Sequence, residues 1–109
     1  MSINIEKLAA DLIDAAKKSL GTSFTSARTV AEPQLKALAA LSGTIAQQVL
    51  EGELSEAEAE ALLRIHINTT RIILLTVEGL GLLAVEAAVN SVIAVIRDTA
   101  NSVVGFPMV

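Results

Sequence analysis

His66 is the one histidine in a chain that has no cysteine, so a metal site here would have to be completed by carboxylates. Dinuclear iron bundles take their ligands from Glu-x-x-His pairs on facing helices. The residue three before His66 is Leu63, so that motif is missing. The lack of cysteine also removes disulfide scaffolds, thiolate-held zinc, iron–sulfur clusters and thiol nucleophiles. No nucleophile elbow, phosphate-cradling glycine loop, dinucleotide fingerprint or calcium loop occurs. His66 therefore reads as a structural or exposed residue. No catalytic, cofactor-binding or metal-ligating set is expected.

The remaining candidates for chemistry are carboxylates. Glu78 and Glu86 interrupt an apolar stretch and would lie about 80° apart around a helix at ~100° per residue. Two acids buried together would titrate high and face a pore or shared site. An unpaired buried carboxylate is costly, however, so pairing or solvation is the default. Arg71, Arg64 and Arg97 are the available partners. Arg71, Glu78 and Glu86 are accordingly assigned to setting register, since a slipped alignment would strand them. The run from Glu51 to Glu60 holds five glutamates and no base, which suits a solvated helix start better than a cation site.

These residues are carried by helical patterns. Ile5, Leu8, Leu12, Ala16 and Leu20 recur at spacings of three and four, the mark of one buried helical face. A first helix is expected over residues 4–20, started by Ser2 or Asn4 and stopped by Gly21. Gly21 to Arg28 reads as a connection pinned by Phe24. Thr29 and Glu32 have capping-box spacing, and Pro33 would then fall in the first turn, so a second helix is expected over 29–51, with a start at Pro33 itself as the alternative. Its stripe is Leu35, Leu38, Leu41 or Ser42, Ile45 and Val49, and the small Ser42-Gly43-Thr44 patch permits close helix approach. Ser55 and Glu58 form a second capping box. From there no proline occurs until Pro107.

The third segment admits two shapes. A continuous, kinked or straight helix over 56–104 would be roughly 74 Å long, whereas a turn at Gly79–Gly81 would give a four-helix bundle. Polar residues continue beyond the glycines on a side only ~60–100° rotated, and no Ser, Thr, Asp or Asn stands ready to cap a helix at Leu82. The expected fold is all-α: a single domain over 1–109, with two shorter amphipathic helices and one long C-terminal helix. The four-helix bundle is the alternative. Beyond it, Phe106-Pro107-Met108-Val109 is apolar and would dock on a neighbour or fray.

The chain has 109 residues, 52% of them hydrophobic, with only two aromatics and a net charge of −4. This excludes disorder and gives no electrostatic footprint for nucleic acid. Ile72 to Ile96 holds fourteen Ile, Leu or Val residues, but Glu78 and Glu86 offset most of their insertion energy, and the usual interfacial Trp and Tyr are missing. The apolar arc is wider than two short helices can cover. A shared surface between chains is the economical account, built from Leu75, Leu82, Leu83, Val85, Val89, Val92, Ile93 and Ile96. The N-terminus has no basic stretch ahead of an apolar run, so a cytoplasmic location is expected. A non-enzymatic, homo-oligomeric structural or interaction protein without cofactor is the leading expectation. A membrane-active or lipid-associated protein inserting residues 72–96 is the alternative, and a bundle with an internal ligand cavity a third.

Overall fold

The computed structural model describes residues 2–109. Four helices follow one another: α1 (Ile5–Leu20), α2 (Phe24–Leu50), α3 (Glu56–Leu75) and α4 (Leu82–Val104). Among the described residues there is no strand. Each helix runs against its sequence neighbour, and α1 closes the ring against α4. The all-α bundle is the expected class; of its two chain paths, the molecule takes the four-helix one.

α1 behaves as its periodicity demands. The Asn4 side chain accepts a hydrogen bond from the Lys7 N–H at 3.0 Å, and Leu8, Leu12, Ala16 and Leu20 are buried. Gly43 lets α2 come close: a Cβ there would fall 2.6 Å from Cγ1 of Ile5. The small patch thus does permit a tight α1–α2 approach.

α2 begins earlier than its cap signals indicate. Only Gly21–Ser23 forms a connection, a single 3-10 turn, and Phe24 is already helical. Burial is the reason. Phe24, Ala27 and Ala31 continue the stripe of Leu35 and Leu38 into the core, so the helix gains a further two turns of packed surface. Glu32 does not serve as a box residue for Thr29; its carboxylate accepts from Arg28 Nε at 3.1 Å. Pro33 consequently sits inside the helix, where its missing N–H is a real loss.

α3 starts where expected. The Ser55 Oγ accepts from the Glu58 N–H at 3.1 Å, and the Glu58 carboxylate accepts from the Ser55 N–H at 3.0 Å. The continuous helix over 56–104 is corrected by the stop at Leu75. Thr76 and Val77 donate back to Ile73 and Leu74, and Gly79 takes φ +90°, a conformation that a side chain would resist. The molecule is 42 Å in its longest extent, so a straight helix of roughly 74 Å has no place in it. Gly81 starts α4 in extended geometry without any side-chain cap bond. Leu80 is buried in the turn. Apolar burial of Leu74, Leu80, Val85 and Val89 therefore prevails over the absent cap, a term of only ~1 kcal/mol.

The tail packs on the core of its own chain. After Gly105 the chain folds back, Met108 is fully buried, and Phe106 and Val109 pack partly on the same core.

Candidate association surface

Two of the three register residues, Arg71 and Glu86, meet at the α3–α4 end of the bundle. The Arg71 Nε donates to the Glu86 carboxylate at 2.5 Å, and its Nη1 donates to Oδ1 of Asn68. Arg71 and Glu86 lie fifteen positions apart, on opposite sides of one turn, so the pair closes only when α4 folds back along α3. Glu78 is exposed in the turn and takes no part in an ion pair among the described residues.

The eight residues assigned to a shared apolar surface divide. Val85, Val89, Val92 and Ile96 are at most 3% exposed and belong to the core of the single chain. Their assignment to a surface between chains is corrected: α1 and α2 cover this side of α4. Ile93 is half-covered. Leu75, Leu82 and Leu83 remain open, at 40%, 62% and 87%.

Three further apolar side chains, outside the sequence assignment, are open on α3. Leu62, Ile65 and Ile72 are 38%, 59% and 64% exposed. Ile65 and Ile72 lie on the far side of α3 from its buried residues Ala59, Leu63, Ile67, Thr70 and Leu74, and Leu62 lies on the flank between. The signal was present as a second apolar spacing on the same helix. It is obscured by Arg64, Asn68 and Arg71, which read as the marker of a single solvent face.

No family model, curated protein or solved structure matches the chain. The surface has to be judged on its own chemistry.

Other sites offer less. His66 is exposed, and among the described residues no group of three or more His, Asp or Glu is placed to hold a metal ion. A shallow groove of about 390 Å³ between α1 and α4 is lined by Asp11, Asp14, Lys18 and Asp98. Two of its acids are already paired, Asp11 with Lys7 at 2.8 Å and Asp14 with Lys18 at 2.9 Å. The space at the centre of the bundle, among Leu35, Leu38, Ile67, Thr70 and Val92, is about 10 Å³, room for a single water at most. Thr70 needs none: its hydroxyl donates to the His66 carbonyl at 3.0 Å and accepts from Gln34 Nε2 at 3.2 Å. The acidic run is solvated, with Glu51, Glu53, Glu56 and Glu58 exposed. Ser55 holds the Glu58 carboxyl below its ordinary value, chiefly through the backbone N–H and then the hydroxyl.

Among the described residues, no helix is long and apolar enough to cross a membrane. What distinguishes the molecule is the uncovered apolar surface of α3 and the start of α4.

Proposed function

We propose that this protein is a non-enzymatic assembly component, a helical bundle that associates with further copies through α3 and the beginning of α4. One observation carries the reading. Of eight exposed large hydrophobic residues among those described, six are Leu62, Ile65, Ile72, Leu75, Leu82 and Leu83. α1 and α2 contribute only Ile5 and Leu50. Single exposed apolar side chains are ordinary, but a concentration on one helix and its adjoining turn marks an association surface.

The bundle itself accounts for the choice. Its core is complete within one chain, tail included, so the excess apolar residues are not needed for folding. A second surface would bury them.

Size-exclusion chromatography with light scattering, in the absence of detergent, tests the reading. A discrete oligomer is expected, and Leu83→Lys should lower its mass. A monodisperse single chain would overturn the proposal. Binding of such a monomer to phospholipid vesicles would replace it with the lipid-associated alternative.

A further inference from the structure

We propose that two copies of the chain pair through the outer face of α3, running antiparallel about a twofold axis level with residue 67. This rests on the assembly reading above and specifies its interface. Leu62, Ile65, Thr69, Ile72 and Thr76 follow one another at spacings of three, four, three and four, the seam spacing of a two-stranded coiled coil. All five are exposed. The core side of α3 lies about half a turn away around the helix. α3 therefore has two seams, one filled by its own bundle and one open.

The open seam is prepared for burial. The Thr69 hydroxyl donates to the Ile65 carbonyl at 3.1 Å, and the Thr76 hydroxyl to the Ile73 carbonyl at 2.6 Å. Covering them leaves no hydroxyl donor unpaired. The flanking positions are Ala61, Asn68 and Leu75 on one side and His66 and Ile73 on the other, with no acid among them. Glu58, at one end of the seam, is then the one acid that a chain of net charge −4 brings to its copy here, and a partner selected by charge would find little to read. The four open apolar side chains of α3 offer on the order of 400 Å² per chain, and Leu82 and Leu83 at the start of α4 raise this to about 600 Å². Two copies thus reach the ~1,200 Å² of stable interfaces when both parts enter the contact. A second copy supplies the same spacing and the same area, which an isologous contact requires.

Direction follows from Glu58, which extends the seam one position beyond Leu62. A parallel pair would set the two Glu58 carboxylates against each other. The antiparallel pair sets Leu62 against Ile72 of the other copy, Ile65 against Thr69, and Glu58 against Thr76. It also opposes the two helix dipoles. The end of each copy that carries Leu82 and Leu83 then meets the end of the other where Leu50 is exposed.

Two measurements test this. Ile65→Lys should reduce the mass found by light scattering by half or more, with helical circular dichroism unchanged. An unchanged mass would overturn the α3 interface while leaving assembly through Leu82 and Leu83 intact; a wild-type monomer would overturn both. The chain has no cysteine, so introduced thiols report direction. Residues 62 and 72 are ~15 Å apart along one helix, too far to bridge within a chain. Diamide oxidation should cross-link chains carrying Leu62→Cys together with Ile72→Cys, and neither single variant. Cross-linking of Leu62→Cys alone, or failure of the double variant while light scattering still finds it associated, would overturn the antiparallel arrangement.

Discussion

At the scale of single residues, a hydrogen bond within one turn sets the behaviour of Glu58. Glu58 accepts the Ser55 N–H, which lowers its carboxyl below the ordinary 4.5. A folded-state value below the unfolded one contributes stability that is fully present above the unfolded value and lost as pH falls through the folded one. Glu58→Gln retains a box-compatible side chain but cannot titrate. Urea midpoints followed from neutral pH down to ~3 should therefore fall less steeply in the variant than in the parent chain. Arg71 and Glu86 are a different case. Their side chains are 26% and 38% exposed, so the pair contributes at most ~1 kcal/mol. Its value is directional, since it is made only when the α3–α4 turn closes. Glu78, assigned with them from sequence, is instead left to solvent. The adjacent Gly79 and Gly81 admit this outcome, but they serve a kinked helix as well as a turn, so the local pattern leaves the place of Glu78 open.

At the scale of elements, α2 is where local signals and packing compete. The sequence places its start at Thr29 or Pro33 from a capping-box spacing and a tolerated proline. The molecule starts it at Phe24 and keeps Pro33 inside. Proline in a helix interior costs ~3 kcal/mol relative to alanine, and its rigidity recovers some ~0.4–1 kcal/mol through the unfolded chain. Pro33→Ala should thus stabilise the protein by about 1–3 kcal/mol, read as a raised urea midpoint with unchanged slope. A helix beginning at Pro33 would give no such gain. α3 teaches the complementary lesson. Its capping box and its core stripe are legible in the sequence, but the second stripe of Leu62, Ile65 and Ile72 is interleaved with Arg64, Asn68 and Arg71. A stretch holding both reads as one broad amphipathic surface until the core side is known.

At the scale of the whole molecule, the distribution of apolar residues separates folding from association. Ile96 is 1% exposed and Leu83 is 87% exposed, though sequence reasoning assigns both to one surface. Ile96→Ala should cost about 2–5 kcal/mol of unfolding free energy, measured by urea denaturation. Leu83→Lys should change the stability of the single chain by no more than ~0.5 kcal/mol, and its effect should appear in the assembled mass. If Ile96→Ala left stability untouched, the bundle as described would be wrong.

The sequence by itself determined the helical class, the amphipathic face of α1, the start of α3 and the lack of thiol chemistry. Each rests on interactions within about one or two turns of chain: side-chain period, cap hydrogen bonds, and residue types present or missing. It also marked Leu75, Leu82 and Leu83 as surplus to a small core. Only the tertiary structure decided that the third segment turns at Gly79, that Val85, Val89, Val92 and Ile96 face inward, and that Leu62, Ile65 and Ile72 face out. The inward side of α4 depends on its packing against α1, a helix more than sixty residues away in sequence, and the outward side of α3 on its packing against α2 and α4. Burial is a competition among distant surfaces for one another, and a local pattern records which residues can be buried without recording what will cover them.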